Sequence, residues 1–322
     1  MKLWRKIIVI SLLVVLFIPL VIFSYHTYQL YRERELLEEV GNKVSFGKKH
    51  LNVYTEGKGE KTFVFMSGSG IAAPIWELRG LYQRFSKDNK IAVVERAGYG
   101  YSSIFEDRRD LDQILEQSRK ALRKSGIKPP YVLVPHSISG LEAIYWAQKY
   151  PNEVQAIIAL DIGLPEQYAT YKMKKAQRLQ IAFMNGLTKL GLQRLFPSAT
   201  YDPEVIKQHF LTDKEKERFK AISYKQAFNN DIKQELLKTE MNAKKSVSLP
   251  PPTETPILFF SAYTKENKVT KKKEADYQRY AKKLRNAKVE RVKGKHAIYL
   301  YKPSLIYKEA IAFINEDVSK GR

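Results

Sequence analysis

The sequence contains no cysteine among its 322 residues. This absence excludes disulfide bonds, metal sites built on thiolates and enzymes that use a cysteine nucleophile. Neither an internal repeat nor a long low-complexity tract is present. With 44% hydrophobic and 12% aromatic residues, the composition is that of an ordinary globular protein. The length suffices for one large domain with an appendage.

Acidic residues are scarce relative to basic ones. The chain has 34 Asp and Glu residues and 56 Lys and Arg residues, which gives a net charge of +22. Such a charge bears on partners rather than on fold, and the candidate partners are an anionic membrane, an anionic cell wall and nucleic acid. No nucleic-acid-binding motif is present, so nucleic acid is not expected. The densest basic stretches, KMKK at 172–175 and TKKK at 270–273, are interpreted as parts of a generally basic, solvated surface.

A long uncharged hydrophobic run occurs near the N-terminus, at residues 7–24. At 1.5 Å per helical residue it spans about 27 Å, close to the thickness of a bilayer core. The basic residues Lys2, Arg5 and Lys6 precede the run, and tyrosines follow it where an interfacial aromatic belt would lie. We therefore predict a membrane anchor, in the form of one transmembrane helix, within residues 1–31.

The alternative interpretation of this segment is a cleaved signal peptide. The apolar run is long for such a peptide and no small-x-small cleavage site follows it, so a retained anchor is favoured. The positive-inside rule then places the N-terminus inside and the remaining chain outside, in a single-pass protein of the cell membrane. Residues 32–42 are predicted to form a helical stalk.

Strand-like and helix-like segments alternate from residue 43 onward, beginning with an apparent hairpin at 43–56. Most of the predicted strands are apolar on both faces, which is typical of a mostly parallel sheet covered by helices on both sides. The alternation gives way to helical patterning alone over residues 165–250 and resumes over residues 251–317. The sequence therefore predicts an α/β core, built from residues 43–164 and 251–317, that carries a helical cap.

An apolar strand passes directly into a helix in the stretch YVLVPHSISGLEAIYWAQKYP, residues 131–151, with Ser137 at the corner. Such a turn lifts a serine hydroxyl clear of the sheet and directs the free N–H groups of the helix N-terminus to the same point. The flanking positions must be compact, which Ser139 and Gly140 satisfy better than Pro135. Serine is also a favoured helix cap, so this stretch alone leaves a nucleophile and a simple cap equally open.

A nucleophilic serine needs a general base, and the chain has five histidines. Four of them lie in the anchor, early in the core, beside the serine and in the cap: His26, His50, His136 and His209. His296 instead follows the last predicted strand, in VKGKHAIYLYKP, where a loop reaches over the carboxyl edge of the sheet. We therefore predict His296 as the base, although a lone loop histidine is usually only solvated.

A run of small residues, Gly68, Ser69 and Gly70, follows a predicted strand in FVFMSGSGIAAPIW. Small residues let backbone N–H groups approach a substrate oxygen closely. We predict that the N–H groups of Ser69 and Ile138 form an oxyanion hole. The alternative is an ordinary glycine-rich turn.

The order of five stretches resembles that of the α/β-hydrolase superfamily: MSGSG with a following Trp, VVERAGYGYS, VPHSISGLEAIYWAQKYP, IIALDIGLPEQ and KGKHAIYLYKP. The resemblance covers roughly residues 43–317, with the helical insertion as the cap or lid. Pro135 and Ser139 stand where the family motif Gly-x-Ser-x-Gly has glycines. The resemblance implies the α/β-hydrolase fold, with Ser137 as nucleophile and His296 as base.

The resemblance leaves two places for the acid of a catalytic triad. Many members carry it after the strand that precedes the last helix–strand pair, where this chain has Lys265 and the nearest carboxylate is Glu266. Other members carry it one strand earlier, where Asp161 lies 24 residues beyond Ser137. Asp161 is favoured and Glu266 is the alternative, while a structural role for Asp161 as a cap on the following turn stays open.

These features predict a serine hydrolase that cleaves a carboxylic ester or a related acyl substrate, a small molecule or a lipid, through an acyl-enzyme. No metal or organic cofactor is implied, and peptide cleavage and acyl transfer stay open. Two further hypotheses are kept. One is a catalytically silent α/β-hydrolase-fold protein that binds a ligand, which is favoured by Pro135, Ser139 and the missing aspartate near residue 265. The other is an envelope-binding protein driven by its positive charge.

Overall fold

The computed structural model describes residues 3–320. Helix α1 covers Leu3–Arg32, and hydrogen-bonded turns follow it over residues 33–37. The predicted helical stalk at residues 32–42 is therefore wrong as a regular helix. Its N–H groups bond partly to carbonyls three residues back, and Glu33 at its start pairs with Arg194 of the later chain.

The predicted transmembrane helix lies within residues 1–31, of which Met1 and Lys2 fall outside the described residues. Among the residues that are described, no helix is both long enough and apolar enough to cross a membrane. The prediction of a transmembrane helix is therefore not supported.

One sheet of eight strands organises the described chain, in the order β1-β2-β4-β3-β5-β6-β7-β8. The strands are β1 Asn42–Phe46, β2 Lys49–Glu56, β3 Thr62–Met66, β4 Lys90–Glu95, β5 Tyr131–Pro135, β6 Val154–Leu160, β7 Ile257–Tyr263 and β8 Ala287–Lys293. β1 and β2 form the predicted hairpin, β2 pairs antiparallel with β4, and all other neighbours are parallel. The carboxyl ends of the parallel strands consequently meet at one edge, where such sheets bind ligands.

Helices cover both faces of this sheet. Their bounds are α2 Pro74–Glu77, α3 Arg79–Phe85, α4 Leu111–Lys124, α5 Ser139–Lys149, α6 Pro165–Thr170, α7 Lys175–Lys189, α8 Pro197–Thr200, α9 Glu204–Lys207, α10 Asp213–Gln226, α11 Asn230–Leu237, α12 Thr239–Val247, α13 Lys268–Ala281, α14 Ile298–Tyr301 and α15 Pro303–Lys320. Phe63 and Phe65 of β3 join the core layer under α2, α3, α14 and α15, while Val64 and Met66 join the layer under α4, α5 and α13. Successive side chains point to opposite layers, so the inner strands β3, β4, β5, β6 and β7 are apolar on both faces.

The helices α6 to α12 all lie between β6 and β7, where the sequence predicts a helical cap at residues 165–250. Several of them contribute to the core: Val205, Leu211, Phe219 and Ile222 are buried in one layer and Ala243 in the other. The cap is therefore packed on the α/β core and is not a separate domain.

A buried ionic cluster fixes the cap to the core. Glu235 of α11, only 4% exposed, accepts hydrogen bonds of 3.2 Å from Arg96 and 2.7 Å from Arg109. Burial raises the pKa of Glu235, but the charges of the two guanidinium groups outweigh burial and hold the pKa below its ordinary value. Arg96 also donates at 2.8 Å to the carbonyl of Ser67, in the loop after β3. The guanidinium group of Arg96 therefore bonds both to the cap and to that loop.

Replacing Glu235 by glutamine should destabilise the protein strongly, because two buried guanidinium groups would lose their counter-charge. We expect the free energy of unfolding in urea to fall by about 3 kcal/mol. The matched control is Glu217→Gln on α10, whose exposed partner is Lys220, and its effect should stay below about 1 kcal/mol. Equal effects of the two substitutions would contradict the assigned role of the cluster.

Candidate active site

Ser137 occupies the corner between β5, which ends at Pro135, and α5, which begins at Ser139. Its φ is +56°, a left-handed conformation that a serine adopts rarely and at a cost in conformational energy. The hydroxyl of Ser137 makes no hydrogen bond with any residue that the structure describes. A serine that only capped the helix would use its side chain, so this conformation does not support a simple capping role.

Ser139, one of the two departures from the family motif, holds the corner together. Its hydroxyl accepts a 2.9 Å hydrogen bond from the N–H of His136. It also lies 2.9 Å from the carbonyl oxygens of Met66 and His136, to one of which it donates. A glycine would remove this link between the corner and the end of β3.

Pro135, the other departure, is tolerated because of its place in the sheet. It pairs with Met66 of β3, whereas the ladder between β5 and β6 covers only residues 131–133 and then a single bridge from His136 to Leu160. The missing N–H of proline therefore interrupts no ladder pair on the β6 side.

The predicted oxyanion hole lies beside this corner. No acceptor among the described residues bonds to the backbone N–H of Ser69 or of Ile138. Gly68 allows the loop after β3 to pass very close, since a Cβ there would lie 2.8 Å from Nδ1 of His136 and 3.0 Å from Cβ of Ser137. Two backbone N–H groups without acceptors, on segments that approach closely, are compatible with the predicted oxyanion hole.

His296 and Asp161 are brought together as a hydrogen-bonded pair. Nδ1 of His296 lies 2.7 Å from Oδ2 of Asp161, although 135 residues separate them in the chain. Asp161 directly follows β6, has a φ of +45°, and its side chain is 5% exposed. The N–H of Ala262, in β7, donates to its other oxygen at 2.8 Å.

The carboxyl group of Asp161 is held in its charged form. Burial raises the pKa of Asp161, but the hydrogen bond to His296, the Lys273 ammonium and the N–H of Ala262 together outweigh burial. The pKa therefore lies below its ordinary value. A charged carboxylate in this place can orient His296 and stabilise an imidazolium.

Glu266, the alternative acid, is directed elsewhere. It pairs with Arg291 of β8, and its side chain is half exposed. Asn267 beside it caps α13 by accepting from the N–H of Thr270 at 2.9 Å. The loop after β7 thus serves to begin a helix, and the structure does not bring its carboxylate to His296.

Ser137 and His296 are not joined by a hydrogen bond in the described structure. The side chain of His296 is 55% exposed and sits on the loop after β8, as the sequence predicts. Catalytic hydrogen bonds of this kind often form fully only when substrate is bound.

His136, set aside by the sequence analysis, is a neighbour of the predicted base. Its ring centroid lies 4.6 Å from that of His296 and 4.9 Å from that of Tyr299. Burial, followed by the charge of His296, lowers the pKa of His136 to about 3, so its imidazole is neutral. The adjacency of His136 to Ser137 is visible in the sequence, but its contact with His296 is not.

A cavity of about 420 Å³ opens between the corner and the cap. Ser69, Ser137 and Ile138 form its floor, and the cap provides the walls. The wall residues are Tyr168, Tyr171, Met173, Gln177, Arg178, Gln180, Ile181, Leu236, Leu237, Thr239 and Glu240. A second cavity of about 490 Å³ shares Ser69 with the first and is lined by His136 and His296.

No group of three or more His, Asp or Glu side chains among the described residues is placed to hold a metal ion.

Comparison with known proteins gives relatives along the whole chain, while no protein-family model matches it. The chain is 53% identical over 320 residues to the uncharacterized protein YbdG of Bacillus subtilis (strain 168), covering 98% of each. Among solved structures, the haloalkane dehalogenase DbeA-M1 loop variant from Bradyrhizobium elkanii superposes with a TM-score of 0.60 at 12% identity, over 87% of this chain and 99% of that one. MGS-M2, an α/β-hydrolase enzyme from a Medee basin deep-sea metagenome library, superposes with a TM-score of 0.60 at 17% identity, over 85% and 97%. With its parallel sheet and strand–Ser–helix corner, the chain has the fold of these α/β-hydrolase enzymes, and it belongs to one family with YbdG.

Proposed function

We propose that this protein is a serine hydrolase that cleaves a carboxylic ester or a related acyl substrate through an acyl-enzyme. The observation that carries the proposal is the left-handed corner at Ser137, whose free hydroxyl lines a capped cavity. The His296–Asp161 pair packs on His136, the residue before Ser137. A dehalogenase and other hydrolases share this fold, so the fold alone does not select the reaction.

The reaction proposed for these groups is acyl transfer in two steps. His296 takes the proton of the Ser137 hydroxyl as its oxygen attacks the substrate carbonyl, and the N–H groups of Ser69 and Ile138 stabilise the oxyanion. The tetrahedral intermediate collapses, and the leaving group departs with the proton from His296. Water, deprotonated by His296, then attacks the ester on Ser137. The second tetrahedral intermediate collapses to release the acid, and the Ser137 oxygen leaves with the proton from His296. Asp161 orients His296 and balances its charge throughout.

The walls of the cap cavity favour an apolar acyl group. Tyrosine, methionine and leucine side chains from the cap line it: Tyr168, Tyr171, Met173, Leu236 and Leu237. Gln177 and Arg178 of α7 offer polar contacts at the same cavity. A volume of about 420 Å³ accommodates a small ligand or a short acyl chain.

The serine role is tested with a fluorophosphonate probe, which labels a serine activated by a general base. Wild-type protein should be labelled at one site, and Ser137→Ala should not be labelled. The matched control is Ser139→Ala, which leaves the nucleophile in place and should slow labelling without abolishing it. Equal labelling of Ser137→Ala, or no labelling of the wild type, would favour the catalytically silent ligand-binding protein.

The identity of the acid is tested by two amide substitutions. Asp161→Asn should lower the rate of probe labelling by about 10³- to 10⁴-fold, since His296 would lose its charged partner. Glu266→Gln should leave the rate within about twofold, because it breaks only the exposed pair with Arg291. The opposite pattern would transfer the acid role to Glu266.

We also propose that the protein acts at the outer face of a membrane, attached through its N-terminal segment. Helix α1 carries exposed apolar side chains, among them Phe17, Ile18, Leu20 and Phe23. Its C-terminal end is tied to the cap, since Arg194 donates to His26 at 2.9 Å and to Glu33 at 2.6 Å.

Membrane attachment is tested by sedimentation of the host-cell membranes that contain the expressed chain. The full chain should stay with the membranes in 1 M salt and in alkaline carbonate, whereas a chain beginning at Tyr25, which keeps the contacts of Arg194, should be released. Release of the full chain by salt alone would instead indicate electrostatic adsorption to an anionic envelope. Addition of a protease to intact cells reports on which side the catalytic domain lies.

A further inference from the structure

Lys273 belongs to the basic stretch TKKK, which the sequence analysis interprets as solvated surface, yet its side chain is half-buried. Its Nζ lies 2.6 Å from Oδ1 of Asp161 and 2.5 Å from the carbonyl oxygen of Ala262. Lys271 and Lys272, on the same helix α13, are exposed. One lysine of the stretch is therefore turned inward to the predicted triad acid.

The two oxygens of Asp161 are divided between two cationic partners. Oδ2 lies 2.7 Å from Nδ1 of His296. Oδ1 accepts hydrogen bonds from Nζ of Lys273 at 2.6 Å and from the N–H of Ala262 at 2.8 Å. We propose that Lys273 is a positioning residue for the catalytic pair. It fixes the carboxylate of Asp161 so that Oδ2 faces His296, and it reduces the negative charge that His296 experiences. The proposal rests on the serine hydrolase function proposed above.

The ammonium of Lys273 opposes the electrostatic effect of Asp161 on His296. The imidazolium form of His296 is stabilised by the negative charge of Asp161, and the neighbouring ammonium of Lys273 partly cancels that charge. Lys273 therefore lessens the electrostatic stabilisation that Asp161 gives to an imidazolium at His296. Removal of the ammonium should therefore move the acidic limb of the pH–rate profile to higher pH.

Other titratable groups face the pair and must be separated from this effect. His136 packs on His296 from the end of β5, while Tyr168 of α6 and Tyr277 of α13 lie near Asp161. Burial raises the pKa of both tyrosines, and His136 is neutral, so none of the three changes charge near neutral pH. Across His136, Tyr299 donates to Glu77, and burial raises the pKa of Glu77 to about 7. Glu77 thus titrates in the range of the expected limb, as does Glu142 of α5, whose pKa burial also raises to about 7.

The test measures the rate of fluorophosphonate labelling of Ser137 between pH 5 and 9, which requires no knowledge of the natural substrate. In Lys273→Met the midpoint of the acidic limb should rise by roughly 0.5 to 1 pH unit. The plateau rate should fall by about 10- to 100-fold because the carboxylate is no longer held in place. Lys273→Arg should restore the midpoint, since it keeps the charge. Lys271→Met removes the same charge from the exposed side of α13 and should leave both quantities unchanged.

Two additional variants distinguish the effect of Lys273 from titration of Glu77 and from a failure of Lys273→Met to fold. Glu77→Gln should leave the shift between wild type and Lys273→Met intact, because the shift does not arise from Glu77. Lys273→Gln provides a second neutral side chain if the methionine variant does not fold. A lower plateau with an unchanged midpoint in every folded neutral variant would overturn the proposal and leave Lys273 a structural role only. Absence of labelling in the wild type would instead overturn the proposed function, and this inference with it.

Discussion

The candidate site depends on two non-glycine residues held in left-handed backbone conformation at the ends of adjacent parallel strands. Ser137 follows β5 with a φ of +56°, and Asp161 follows β6 with a φ of +45°. Each such residue costs on the order of 1–3 kcal/mol and persists only where surrounding bonds enforce it. The N–H of Ser137 donates to Leu160 at 3.2 Å, and the N–H of Asp161 donates to Phe260 at 2.9 Å. The sheet itself therefore holds both corners and raises both side chains from one edge.

The cap is connected to the same edge through charge. Arg96 bonds both to Glu235 of the cap and to the carbonyl of Ser67, two residues before the predicted oxyanion donor Ser69. The guanidinium group of Arg96 consequently links α11 to the loop after β3 by hydrogen bonds. The cap thus supplies the walls of the cavity, and it also stabilises the backbone that would bind the oxyanion.

Sequence reasoning identifies what depends on local pattern and misses what depends on distant contacts. Strands apolar on both faces indicate the parallel sheet, and the strand–Ser–helix corner together with the order of motifs indicates the α/β-hydrolase fold. The sequence favours Asp161 as the acid but leaves Glu266 open, because the decision depends on how α13 begins and on which carboxylate the loop after β8 reaches. Glu235, His136 and Lys273 were missed for the same reason, since their partners lie far away in the chain.

Lys273 also shows why the net charge of +22 does not describe the site. Interactions between exposed charges more than about 8 Å apart are largely screened at physiological ionic strength, whereas interactions within buried pairs are screened much less. Two buried carboxylates near the site meet cations at contact distance: Asp161 meets Lys273, and Glu235 meets Arg96 and Arg109. The charges in contact with Asp161 are therefore local ones, while the numerous surface lysines act mainly on what approaches the protein from outside.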